Sequence, residues 1–114
     1  MTTPQITTFI LLQATEAWLS LTRAARRELA AAHLGAALAK YPALTMRYFD
    51  AEAFSAHCSD VMMITASDLQ QYYDFIETLR DSPMFAVPYF RLVQIVPAIE
   101  EGFRSFEERQ GQLA

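Results

Sequence analysis

Two histidines and one cysteine are the most reactive side chains in this 114-residue chain. Histidine is the side chain suited to general-base work near neutral pH, so either His33 or His57 could serve as a general base. Asp60 is the acid of most interest, because it opens the apolar run Asp60-Val61-Met62-Met63-Ile64, where an unpaired charge is expensive. Two outcomes are open for it. It pairs with Arg80 or Arg47 and fixes the loop from Asp50 to Ser55, or it titrates abnormally inside a site. Tyr72 is the candidate for a catalytic hydroxyl, whereas Tyr73, Tyr89 and Trp18 offer aromatic surface to a substrate and Arg91 a fork for a carboxylate or phenolate. Each also has a structural reading: His33 as a flanking helix residue, the tyrosines as core aromatics, Arg91 as a solvated edge residue. Cys58 beside His57 is either an activated thiol or a small buried side chain.

Other chemistries lack their residues. The chain has no glycine-rich phosphate loop, no Gly-x-Ser-x-Gly elbow and no cysteine or histidine pair at zinc spacing, so neither a cofactor nor a protein-ligated metal is expected. Net charge is −4 and the pI near 5.0, which removes the basic footprint that nucleic acid requires. Arg23, Arg26 and Arg27 form the one basic cluster and read as solvated surface. A lone cysteine cannot form an intramolecular disulfide, and the segment MTTPQITTFILLQA has neither a positive signal-peptide region nor an apolar run long enough to span a bilayer. These features predict a cytoplasmic protein that does not enter a membrane.

Positioning falls to six elements. Ile6 to Gln13 reads as a strand that is apolar on both faces. Ala14 to Leu21 is a connector folding Trp18 over the core, and Thr22 caps a helix running from Arg23 to about Lys40, where Pro42 stops it. Ala25, Leu29, Ala32, Ala36 and Ala39 form a small-residue stripe on this helix, expected to face the sheet, with His33 at its flank. Leu34, Leu38 and Tyr41 point to a second neighbour, either the C-terminal tail or another subunit, and Gly35 is either a mark of close packing or incidental. Leu44 to Phe49 and about Ala56 to Thr65 are strands two and three, the latter placing His57 and Ser59 on one face and Cys58 and Asp60 on the other. Ser67 and Gln70 form a capping box for a second helix whose apolar face is Leu69, Tyr72, Tyr73, Ile76 and Leu79, ending at Asp81-Ser82-Pro83. Phe90 to Val96 is the last strand, with Tyr89, Arg91, Val93 and Ile95 on one face and Gln94 on the other.

This order is the β-α-β-β-α-β unit of a ferredoxin-like α+β fold, predicted as one domain over 1–114 with 98–114 as a tail carrying Ile99, Phe103 and Phe106 at helical spacing. Such a sheet covers one face with helices. Hydrophobic residues at 53% and mean hydropathy of +0.11 agree with a second, buried use of the other face, hence a homodimer.

Asp50-Ala51-Glu52-Ala53-Phe54, Ser59-Asp60-Val61, Tyr72-Tyr73, Leu79-Arg80-Asp81, Pro88-Tyr89-Phe90 and Ile95-Val96-Pro97-Ala98-Ile99-Glu100 resemble the darcynin family of small bacterial proteins, over about Thr7 to Phe106. The resemblance implies a protomer related to the dimeric α/β-barrel superfamily, which includes cofactor-free monooxygenases, isomerases, polyketide cyclases and haem-dependent enzymes. In haem-binding relatives a lone histidine can be the axial ligand. Fold is thereby narrowed more than function.

Two functions follow as expectations. One is a cofactor-free isomerase, cyclase, lyase or monooxygenase of secondary or aromatic-compound metabolism, acting on a small apolar or aromatic molecule, with His33 or His57 as base. The other is a binding or accessory protein with the same cavity and no turnover. Convergence of a base and an anion-stabilising group in one pocket separates them.

Overall fold

Alternation along Ile6–Ala14 (β1) sends Thr8, Ile10, Leu12 and Ala14 to one side, where all four are buried, and Phe9 to the other, where 37% of it stays exposed. A computed structural model describes residues 5–111 of the chain. In it β1 is central: β3 (Asp60–Ala66) and β4 (Phe90–Ala98) flank it, and β2 (Leu44–Asp50) pairs outside β3, giving the antiparallel order β2-β3-β1-β4. This is the ferredoxin-like arrangement. Pro97 is tolerated within β4 because that strand is an edge.

One sheet face is covered. A short helix α1 (Glu16–Leu19) follows β1, and then a continuous helix over 23–40 comprises α2 (Arg23–Leu29), a π-helical stretch (Ala30–Gly35) and α3 (Ala36–Lys40). After β3 come α4 (Leu69–Asp81) and α5 (Pro83–Ala86), and after β4 comes α6 (Gly102–Arg109). The core lies between the sheet and α2 to α5, built on Ile10, Leu12, Met62, Ile64, Phe75 and Phe90. Among the described residues no helix is long and apolar enough to cross a membrane.

Several predicted details change. The alanine stripe does not face the sheet: Ala32, Ala36 and Ala39 are exposed, while Ala37, Leu34, Leu38 and Tyr41 pack on the core. Larger side chains bring more apolar area out of water than alanine methyls, and the wider π turn rotates the residues after it relative to a uniform helix. Gly35 marks no close packing, since a Cβ there would meet only the Ala30 carbonyl oxygen at 3.9 Å.

On α4 the cap is Asp68, whose carboxylate accepts from the backbone N–H of Gln70 and Gln71, and Ser67 instead hydrogen-bonds the Ala43 carbonyl. The buried stripe is Tyr72, Phe75, Ile76 and Leu79, the i, i+3, i+4, i+7 set. Leu69 and Tyr73 are 64% and 59% exposed, so they lie off the face assigned to them. Ser82 ends α4 and caps α5 through the backbone N–H of Met84.

β3 begins at Asp60, so residues 51–59 are loop and His57 has no strand parity. In β4 a bulge opposite Leu11 and Leu12 shifts the register, so that Gln94 pairs with Leu11 on the open face and Ile95 with Ile10 on the covered one. The expected grouping of Ile95 with Arg91 is thereby broken. No alternation pattern in the sequence announces such an inserted residue.

Candidate functional site

The covered face is not fully packed at the end where β1 and β2 finish and β3 and β4 begin. There the sheet residues Leu12, Met46, Met62 and Phe90, with Leu34, Leu79, Met84 and Phe85 from the helices, wall a half-open cavity of about 310 Å³. Trp18 and Ala30 complete the apolar lining. The polar groups in it are Asp60 and Tyr48.

Strand register explains the pair. Asp60 shares parity with Met62 and Ile64 and so points to the covered side. Asp50 lies directly opposite Asp60, and Tyr48 opposite Met62, so Tyr48 is the diagonal neighbour of Asp60 on the same face, within reach of a long aromatic side chain. Tyr48 leaves 42% of its surface in solvent, yet its hydroxyl end is turned inward toward the Asp60 carboxyl.

Ser59 holds the acid from behind. Its backbone N–H donates to the Leu12 carbonyl at 2.8 Å and its Oγ accepts from the Ala14 N–H at 2.7 Å, so the hydroxyl is locked between β1 and β3. That hydroxyl donates to Asp60 Oδ2 at 2.7 Å, with the Leu12 carbonyl at 3.3 Å as the alternative acceptor.

Burial pushes the Asp60 carboxyl above its ordinary range; hydrogen bonds from Ser59 and Tyr48 pull it down, and the negative charges of Asp50 and Glu52 push it further up, for a net rise. The Tyr48 phenol is also raised, first by desolvation and then by the Asp60 carboxylate beside it. It therefore stays protonated.

Trp18 is placed by its backbone. Thr15 Oγ1 accepts from the Trp18 N–H at 3.4 Å and donates to the Pro88 carbonyl at 2.8 Å, while the Thr15 N–H reaches the Tyr89 carbonyl at 3.0 Å. Arg26 then caps the far end of α1, donating to the carbonyls of Trp18 at 3.2 Å and Leu19 at 2.9 Å. Arg26 is thus a half-buried staple where solvated surface was expected. The indole lies tilted against Phe90 at 4.8 Å and Tyr89 at 5.6 Å between ring centroids.

The expected arginine partner of Asp60 is not there. Arg47 has the opposite strand parity and sits over the Phe49 ring at 5.2 Å, Arg80 is exposed, and the one ion pair among the described residues joins Arg104 to Glu101. Of the predicted site residues, Asp60 and Trp18 meet in the cavity, with Tyr89 behind the indole. His33 is half-buried in the π stretch but does not line the cavity, although its neighbours Ala30 and Leu34 do. His57 is exposed in the loop, Tyr72 lies in the core, Tyr73 is exposed, and Arg91 pairs with Gln13 on the open face. Cys58 is buried and free.

Tyr48 and Ser59 were missed as functional candidates. Tyr48 had a signal, namely shared parity with the apolar Leu44 and Met46 on strand two. Its nearness to Asp60 depends on a hairpin register that the loop 51–59 conceals.

Solved structures share the fold at low identity. A mutant chlorite dismutase from Candidatus Nitrospira defluvii superposes with a TM-score of 0.70 at 14% identity, covering 86% of this chain and 41% of that one. A heme-binding protein from Thermus thermophilus gives 0.75 at 17% identity, covering 93% and 45%. The chain therefore spans less than half the length of either. Curated relatives are much nearer in sequence. Darcynin of Chromobacterium violaceum is 50% identical over 74 residues, covering 65% of this chain and 94% of the relative. Darcynin 1 of Acinetobacter baumannii is 42% identical over 89 residues, covering 78% and 99%. A darcynin homolog of Streptomyces avermitilis is 32% identical over 103 residues, covering 90% and 84%. The profile described as "Darcynin, domain of unknown function" matches residues 1–111, and the chain belongs to the darcynin family.

Proposed function

We propose that the protein binds a small, largely apolar molecule in the cavity beneath α1 and α5 and exchanges a proton with it through Asp60. The observation that carries this reading is the carboxyl itself: half-buried, raised in pKa, and set with one phenol among ten apolar lining residues. A base of this kind holds a proton more strongly than an ordinary aspartate. The apolar walls limit water around it, which strengthens every electrostatic contact inside. Proton transfer of an isomerase, lyase or cyclase type is the chemistry such a pair supports without a cofactor.

One observation favours the non-catalytic alternative. No cation lines the cavity, so negative charge developing on a substrate would meet only neutral donors, the Tyr48 hydroxyl and the Trp18 indole N–H. Under that reading the protein is a carrier or accessory factor using the same residues.

The haem named for the Thermus protein does not suit this donor set. Neither histidine lines the cavity, and the Tyr48 phenol is pushed away from the phenolate form that an axial ligand needs. The proposal also includes a second copy of the chain, in the cytoplasm, covering the open face. That face exposes Phe9, Phe49 and Val96 beside Arg47 and Arg91, while the α6 segment exposes Ile99, Phe103 and Phe106 in a stretch where four glutamates outnumber Arg104 and Arg109, a match in hydrophobicity and in the sign of net charge.

Trp18 is the one tryptophan of the chain and lines the cavity, so its emission reports occupancy. Titration with N-phenyl-1-naphthylamine, a neutral apolar fluorophore, should give saturable one-site binding with quenching of Trp18. In Ala30→Phe, which fills the cavity, affinity should drop about tenfold or more, the scale at which lost apolar contact acts on binding. Saturable binding indifferent to Ala30→Phe would place the probe elsewhere and overturn the reading.

A further inference from the structure

We infer that the cavity selects molecules bearing a protonated amine on an apolar frame, with Asp60 as the counter-ion. This deepens the proposed binding function and rests on it.

The carboxylate is half-buried yet has no cationic partner among the described residues; it accepts from the Ser59 hydroxyl, and the Tyr48 phenol shares the cavity with it. An ionised carboxylate offers about four lone-pair sites, so the Ser59 donor leaves acceptor capacity toward the cavity. A charge held partly out of water without an opposite charge is costly, and a bound ammonium group would offset that cost.

The surrounding field has the same sign. Asp50 stands directly opposite Asp60 on β2, and Glu52 follows it in the loop; both act on Asp60 as negative charges. No Lys, Arg or His lines the cavity. On the helix side the Arg26 guanidinium is bound to the carbonyls of Trp18 and Leu19, and Arg80 lies along a separate crevice with Ile76 and Phe85. A carboxylate or phosphate ligand would meet like charge from Asp60, Asp50 and Glu52 and no cation in the lining. A cation would be drawn in and would find the Trp18 ring, backed by Phe90, for a cation–π contact.

Size narrows the class further. A cavity near 310 Å³ is about twice the ~150 Å³ that accommodates benzene, which suits an arylalkyl or bicyclic monoamine.

The test uses three compounds of one shape displacing bound N-phenyl-1-naphthylamine from the full chain at low salt: 2-phenylethylamine, n-propylbenzene and 3-phenylpropionate. The amine should compete at a concentration about tenfold or more below that of propylbenzene, the size of one ion pair in a partly desolvated site, and the acid should not compete. In Asp60→Asn the preference for the amine over propylbenzene should vanish, read as the ratio of the two competitors' affinities within the variant. In the unaltered protein, amine affinity should decline as pH falls through the Asp60 titration while fluorophore affinity holds, a readout that requires no variant to fold. Equal competition by propylbenzene, preference for the acid, no competition by any of the three, or an amine preference that survives Asp60→Asn overturns the amine assignment and leaves the cavity reading intact. Failure of the fluorophore itself overturns the cavity reading, and the amine assignment with it.

Discussion

Asp60 is half out of water, bonded to the Ser59 hydroxyl and to no arginine, and that arrangement has a thermodynamic signature. Because its pKa is raised in the folded protein, the native state holds the proton more tightly than the unfolded chain. Its contribution to stability is therefore fully present below the ordinary carboxylate range and is lost as pH rises through the raised value. Above it, the ionised group opposes folding. Asp60→Asn should accordingly leave the melting temperature at neutral pH unchanged or higher, whereas acidification should shift the balance toward the unaltered protein. Circular-dichroism melts of both proteins from about pH 4 to about pH 8, bracketing the carboxylate range, check this. A variant several degrees less stable at every pH would show that Asp60 is a structural partner after all. The sequence identified this acid as anomalous because charge at the head of an apolar run is costly. Its companion Tyr48 was not legible, since a diagonal cross-strand contact depends on register.

Among the elements, α4 shows how a local signal can be displaced by one residue. Ser67 and Gln70 have capping-box spacing, but Asp68 takes the cap with two backbone N–H bonds, and Ser67 turns to the Ala43 carbonyl. Asp68→Ala should cost about 1 kcal/mol and Ser67→Ala well under half of that, measured by urea unfolding. Equal losses would restore Ser67 as the cap. The helix over 23–40 shows a different displacement: its start at Thr22 was readable from one residue type, but its buried face was not. The π stretch Ala30–Gly35 changes the phase midway, and a uniform period of 3.6 assigns Ala32 and Ala36 to the wrong side.

At the scale of the molecule, the open sheet face and the protruding α6 segment are left with apolar side chains in solvent. Phe103 and Phe106 are 61% and 53% exposed, more than a solitary chain of this size gains anything from leaving uncovered. The proposed pair should sediment as a dimer at micromolar concentration, and removal of residues after Ala98 should weaken it by about tenfold or more, as loss of interface anchors does. Sedimentation of both forms as monomers would show that these faces serve something else.

The β-α-β-β-α-β order of elements, the cap at Thr22 and the stop at Ser82-Pro83 were determined by the sequence alone, because periodicity, capping and chain-breaking act over a few neighbouring residues, whereas β1 reads as apolar on both faces and only the packing of helices on one side leaves Phe9 partly in solvent. Only the tertiary structure decided which polar groups meet. Cavity formation beside Trp18, the approach of Tyr48 to Asp60, the staple from Ser59 to β1 and the placement of both histidines outside the lining depend on register across strands, on one bulge opposite Leu11 and on one rephased helix. Those are long-range geometries, and a one-residue shift in any of them moves a side chain to the other face.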